Sequence, residues 1–418
     1  MNPLERLIYN TLKGNPALKM AVRDIYQAAF DLLPAKPTQS IHPVNVREGY
    51  FFGFHDHTPF SPDNTMLLAH RYDIPLRMPA AGEQAGIGIF TGDNWSDYRE
   101  LAVTRAWNWH QGAKLQWVGS QPVCVYNDHE GGRNLARMLH VETGESTDLP
   151  EPVGSVSADG RYAAGYSFTR TERYMPGYGY PYPVAESGLE SPVTSASGVY
   201  MMDLSKQQVR QLLTVEDLAA LHPDPSMDGA SHFVSHALFS PTSHRFVFLH
   251  RWVKGDLRNR FSRMISLDVE GQNLHIFPTS GMVSHIGWKN DTQVLAYSSV
   301  DGVDGYYLFT DQSEDTMRVG DGFFRADGHP SYSPVAPARI ITDTYPDRSR
   351  RSALLLFDEA TGEGKTLGRF RHPKAFTRAN PHENWRCDLH PRWDRTGRVV
   401  CFDSVHTGRR ALCTMKIG

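Results

Sequence analysis

Five histidines of this 418-residue chain occupy one repeated place, three positions before an aromatic residue. They are His57 in HTPF, His236 in HALF, His285 in HIGW, His329 in HPSY and His390 in HPRW. The chain holds only 19 histidines, so five at seven matched positions far exceeds chance. Imidazole binds transition metals and moves protons near neutral pH. Several imidazoles meeting in one pocket would not be tolerated as cations, so a metal ion or carboxylates should offset them. Asp56, Asp327 and Asp388 stand one or two residues ahead of three of these histidines and could ligate a metal or orient a ring. The bland alternative is that each histidine bonds a neighbouring backbone and serves the repeat alone.

Cations and further histidines widen the set. Lys114 takes the histidine's place in KLQW. Arg71 (AHRYD), Arg170 (SFTR) and Arg251 (LHRW) end apolar runs, where guanidinium forks suit carboxylates, with surface ion pairing as the other reading. Arg386 in NWRCDLH joins Arg71, Arg170, Lys114 and His390 as a candidate for holding substrate. His110 in WNWHQG and His129 in YNDHEGG are further candidates for the channel.

Such residues need a scaffold that brings distant positions together. A unit of anchor, turn and apolar strand recurs seven times, with anchors at Phe60, Trp117, Val156, Phe239, Trp288, Tyr332 and Trp393. The anchors lie 39 to 83 residues apart, which fits propeller repeats of about 40–50 residues with insertions. The spacing predicts an all-β, seven-bladed β-propeller over residues 41–418, with equivalent positions on a circle around one axis. Only 25 residues follow the last anchor, enough for two more strands. Residues near 43–52 are therefore expected to supply the outer strand that closes the ring. The longest gap contains RYMPGYGYPYP at 173–183, expected as a surface crossing or as an aromatic lid bearing Tyr174 and Tyr178. Leu4, Leu7, Ile8 and Leu12, then Leu18, Val22, Ile25 and Leu32, predict a helical extension within residues 1–40. Its basic residues leave open a peripheral contact with a membrane or a partner.

Composition narrows the function classes. A net charge of -3 without a Lys/Arg stripe argues against nucleic-acid binding. Cys124, Cys387, Cys401 and Cys413 lack CxxC spacing and read as buried thiols of a reducing compartment. No apolar run approaches the roughly 20 residues of a membrane span. The opening MNPLERLIYNTLKGNP has no signal-peptide pattern, so a cytoplasmic location is expected.

HALFSPTSHRFVFLHRW, followed by VSHIGW, DGHPSYSP and DLHPRW, resembles the oligogalacturonate lyases and, more loosely, the ulvan lyases. The likeness runs over residues 230–410, with an echo at FHDHTPFSP. It implies a seven-bladed propeller that cleaves uronate-containing oligo- or polysaccharides by β-elimination. It implies His236 as the catalytic histidine, and His285 and His329 as ligands of a divalent ion such as Mn, Ca or Zn. Asp327 stands in place of a further family histidine, Phe324 near a glutamine ligand, and Arg251 in place of a glutamate. On this reading the metal or Arg251 binds the uronate carboxylate and His236 takes the C5 proton. Tyr174, Tyr178 or another histidine, among His57, His110 and His129, protonates the leaving oxygen. The alternatives are glycosyl transfer or hydrolysis in surface-polysaccharide metabolism, and a carbohydrate-binding propeller without catalysis.

Overall fold

Short β-branched and aromatic runs, cut by Gly, Asp, Asn and Pro, can bury their faces only by stacking sheet against sheet. The computed structural model, which describes residue 30 and residues 34–182, 185–377 and 380–418, shows that solution. Seven antiparallel sheets follow one another along the chain. Blade 1 covers residues 50–104, blade 2 residues 116–149 and blade 3 residues 155–214. Blades 4, 5 and 6 cover residues 231–276, 283–318 and 331–371. Blade 7 comprises residues 392–416 and an outer strand, Val44–Glu48, from the other end of the chain. That strand pairs with Ala411–Lys416, Val44 lying opposite Met415, so the ring closes with residues from the expected segment. Gln39–Ser40, at the end of the expected helical extension, is a strand that adds a fifth member to blade 6. The rest of that extension, and the peripheral contact suggested for it, fall almost wholly outside the described residues. No described helix is long and apolar enough to cross a membrane.

The aromatic anchors tie blade to blade. Trp117 Nε1 donates to the Pro59 carbonyl at 2.9 Å, Trp288 Nε1 to Leu238 at 3.0 Å and Trp393 Nε1 to Ser331 at 3.0 Å. Each bond reaches the preceding blade, so the indoles are both core and clamp. Between the sheets, blade 1 residues Phe51 and Leu67 pack with Cys124 and Leu139 of blade 2 and Leu412 of blade 7. Fully burying one such side chain is worth about 1.5–3 kcal/mol.

Blade 1 departs from the repeat. Phe51 pairs with His70 and Phe60 with Leu67, so residues 52–59 face only Leu68 and Ala69. The surplus chain leaves the sheet and crosses the channel as a plug. Asp403 accepts the Phe52 and Gly53 amides at 3.0 and 2.9 Å. Gly53 has φ +116°, and a Cβ there would meet the Gln111 carbonyl carbon at 2.8 Å, so only glycine fits. Beyond it, His55 Nε2 bonds the Ile286 carbonyl in blade 5, at 3.2 Å. Asp56 pairs with Lys114 just ahead of blade 2, and Thr58 Oγ1 donates to Trp393 of blade 7.

Candidate active site

Blades 4 to 7 each present one histidine at the channel. In blades 4 and 5 a β-bulge does this: the register shifts between Ser235 and Leu238, and between Val283 and Ile286. A bulge re-aims a side chain without breaking the sheet. His236 and His390 also adopt left-handed φ, at +57° and +45°, as does Lys114 at +52°. Such backbone costs free energy for a non-glycine residue and gathers at functional sites.

The imidazoles meet around the Phe54 ring. Its centroid lies 4.5 Å from His55, 4.9 Å from His236, 5.0 Å from His390, 5.8 Å from His329 and 5.9 Å from His285. His285 and His329 are 4.0 Å apart, and His329 and His390 4.2 Å. Four of the five expected ring histidines thus converge. The fifth member is His55, which sequence reasoning passed over, rather than His57. The plug moves blade 1 out of step, and His57 Nε2 instead approaches the Gly154 carbonyl at 3.4 Å. A cavity of about 300 Å³ is lined by His55, His57, Trp288 and Trp393.

Each ring is oriented through one nitrogen. His329 Nδ1 bonds Asp343 Oδ1 at 2.7 Å, and the same carboxylate accepts the His329 amide at 2.8 Å and the His390 amide at 3.0 Å. His390 Nδ1 donates to the Gly53 carbonyl at 2.9 Å, which fixes its tautomer and leaves Nε2 a lone pair. His285 Nδ1 bonds Asp327 at 2.9 Å, and Ser284 Oγ donates to both oxygens of that carboxylate. Asp327, expected as a ligand, orients His285 and lies outside the set His329, Asp388 and His390 whose ligand atoms come together. His236 Nδ1 lies 2.7 Å from Ser235 Oγ, which accepts Arg251 Nε at 2.9 Å.

Three buried ring nitrogens of the cluster have no partner among the described residues: His55 Nδ1, His329 Nε2 and His390 Nε2. His329, His390 and Asp388 each offer one ligand atom, all within 4.8 Å of one another. Orphaned buried imidazole nitrogens beside a carboxylate, with Nδ1 tied back to a carboxylate or carbonyl, are the donor set that a divalent ion requires. Asp388 also takes Arg386 Nε at 2.8 Å and Nη2 at 2.8 Å, and Arg386 stacks over Tyr345 at 4.6 Å.

Electrostatics sort the rings. Burial drives His55, His236 and His390 well below the ordinary imidazole value, helped by neighbouring positive charge. Burial also opposes charge on His329, but Asp343 and then Asp388 outweigh it and raise its pKa. Burial would raise Asp388, yet Arg386 and His329 hold it far below the usual carboxylate range. One imidazole thus favours its proton while the others stay neutral.

The remaining candidates divide. Tyr178 stacks on His110 at 4.6 Å and lies 5.9 Å from His236. Its loop is fastened by Glu172, which accepts the Gly177 and Gly179 amides. Tyr174 lies in the same buried cluster as Phe54 and Tyr178. His110 Nε2 bonds the Asn384 carbonyl at 3.1 Å. Lys114 is buried against Asp56 at 2.5 Å. Arg71, expected to hold substrate, is exposed and paired with Glu100 at 2.7 Å. Arg170 lies on a helix, Phe168–Tyr174, rather than at a strand end, because Ser167 caps its N-terminus. Its guanidinium is used up on the carbonyls of His232, Gly188, Ser191 and Pro192. His129 bonds Asn134 and stacks on Tyr182, with no ring contact to the cluster among the described residues.

No family model matches the chain, and no curated protein sequence does. An oligogalacturonate lyase in complex with manganese superposes with a TM-score of 0.64 at 13% identity, over 92% of this chain and 98% of that one. The chain shares its fold with oligogalacturonate lyase. The enzyme of that name from Vibrio parahaemolyticus gives 0.60 at 10% identity, over 92% and 99%. The β-propeller domain of the Trilobed protease from Pyrococcus furiosus gives 0.51 at 11%, over 84% and 92%. The resemblance to oligogalacturonate lyases therefore holds for the fold, across nearly the whole chain.

Proposed function

We propose that this protein is a lyase that cleaves uronate-containing oligo- or polysaccharides by β-elimination, with a divalent cation held by His329, His390 and Asp388. The observation that carries the reading is the pair of partnerless Nε2 atoms on His329 and His390, with Asp388 beside them. The lyase fold adds the reaction class, and the neighbour of known structure is in complex with manganese. Manganese, calcium or zinc bound there would polarise the substrate carboxylate and so acidify the adjoining C–H.

The chain's own residues supply the rest. His236 is the base: burial and the Arg251 charge keep it neutral, and Ser235 Oγ holds its Nδ1. With the hydrogen on Nδ1, its Nε2 accepts the C5 proton. The C5–H electrons become the C4=C5 double bond as the C4–O bond breaks. Tyr178, braced by His110, donates the proton that the leaving oxygen takes. Arg386, clamped by Asp388 and Tyr345, lines the site as a cation for an acidic sugar. A cytoplasmic location accords with four buried, unpaired cysteines.

The test is to incubate the protein with polygalacturonate, alginate, glucuronan and ulvan, each with manganese, calcium or zinc. An ultraviolet absorbance from unsaturated uronate, abolished by EDTA, is expected with at least one polymer. Silence across every combination refutes elimination.

A further inference from the structure

Blade 4 carries two cations whose charge the protein leaves unbalanced. Arg251 lies on the strand Arg245–Val253 and Arg260 on the next, Arg260–Asp268. Arg251 pairs with Ser262, and Val253 with Arg260, so residues 251 and 260 are diagonal neighbours on one face of the sheet. Arg251 is buried and donates Nε to Ser235 Oγ. Among the described residues its two Nη groups make neither a hydrogen bond nor an ion pair. Arg260 is half-buried; its Nη1 donates to the Leu257 carbonyl, and no described carboxylate pairs with it.

Two other arginines of blade 4 have partners for their guanidinium ends. Arg245 pairs with Asp311, and Arg263 donates to the carbonyls of Leu218, Leu221 and His222. Arg251 has neither kind of partner for its Nη groups, and the Arg260 charge lies close enough to oppose its own. Asp327, whose charge favours the Arg251 cation, is hydrogen-bonded to His285 and Ser284. Two guanidiniums side by side, with no carboxylate bonded to either, repel one another, and the Asp327 and Asp256 charges act on them only from beyond hydrogen-bond reach. An oxygen anion from a ligand would satisfy both, through the forked hydrogen bonds that guanidinium makes.

We propose that Arg251 and Arg260 form an oxyanion subsite that takes a carboxylate or sulfate on the sugar next to the one that reacts. The neighbouring-sugar assignment rests on the lyase reading above; the anion site does not. The reacting sugar's carboxylate is claimed by His329, His390 and Asp388 at blades 6 and 7. Arg251 and Arg260 belong to blade 4, beyond His236, so a group that reaches both comes from a second residue of the chain. The substrate class is then a glycan with acidic groups on adjacent sugars, and a neutral neighbour is disfavoured.

The experiment is thermal unfolding of the full chain in EDTA, titrated with sodium sulfate or sodium acetate against sodium chloride at matched ionic strength. Wild type, Arg260→Gln, Arg260→Lys and Arg251→Gln are compared. A saturable rise in Tm beyond chloride is expected for wild type, with about a tenfold weaker midpoint in both glutamine variants and a smaller loss in Arg260→Lys. Saturation by acetate alone assigns a carboxylate, and by sulfate alone a sulfated sugar. No saturable rise in wild type, or one that survives in all three variants, overturns the subsite. Specific anion binding without elimination on any polymer keeps the subsite and removes the lyase.

Discussion

Replacing Asp343 by asparagine attacks the candidate centre through a residue that touches no substrate. The carboxylate is fully buried and receives three hydrogens, from the His329 amide, His329 Nδ1 and the His390 amide. Asparagine keeps one oxygen. Whichever way its amide turns, the NH2 faces an N–H donor, so at least one buried donor loses its partner. That loss costs about 1–3 kcal/mol, and the charged bond to His329 is worth another 1.5–3 kcal/mol. A deficit of about 3–5 kcal/mol is expected in denaturant unfolding with EDTA present. Its pH dependence has a definite sign. Asp343 and Asp388 hold His329 above 6.5. The protonated ring therefore contributes stability that is complete below pH 6.5 and lost as pH rises through the folded value. The deficit of Asp343→Asn should be larger at pH 5 than at pH 9. Metal affinity, read from the Tm shift with manganese, should fall about 10–100-fold, as for other groups that orient a ligand. Unfolding free energy and manganese affinity both unchanged would refute the assignment of Asp343 as the support of His329 and His390.

Three further outcomes are expected. Burial raises Glu172 to about 7 from 4.5, so its ionisation cost is absent below pH 4.5 and complete above pH 7. Glutamine can accept the same two amides, so Glu172→Gln should stabilise the fold by up to about 3 kcal/mol at pH 8 and hardly at pH 4; equal effects at both pH values would contradict this. Lys114→Met strands the buried Asp56 carboxylate and should cost about 3–5 kcal/mol, with Lys114→Met/Asp56→Leu recovering much of it in the same unfolding assay. Phe54→Ala removes the ring on which five imidazoles pack and should cost about 3–5 kcal/mol, with a measurable drop in manganese affinity; an unchanged Tm series with manganese would argue against its role in shaping the cluster.

The propeller was legible because repetition is a local signal: each anchor, turn and strand can be recognised without knowing its neighbours. Circular geometry then carried His236, His285, His329 and His390 to a common place, with no knowledge of contacts needed. His55 escaped because the repeat breaks there. Residues 52–59 leave their sheet only through distant partners, Asp403 and the Gln111 backbone, which no local pattern announces. Arg170 lies on a helix and not at a strand end because Ser167 caps the helix-compatible residues that follow it, a signal that is present in the sequence. Asp343 and Arg260 carried no motif at all. Their roles come from cross-strand and cross-blade positions, which exist only once the ring is formed.

The seam of that ring joins residues 44–48 to residues 411–416. During synthesis residues 44–48 emerge more than 360 residues ahead of residues 411–416 and must wait for them. Until then the nascent ring has two open sheet edges, each able to recruit a strand from another chain. Aggregation in the cell should therefore respond more steeply to changes in residues 411–416 than their number suggests, and holdase chaperones should engage the chain until that strand has emerged.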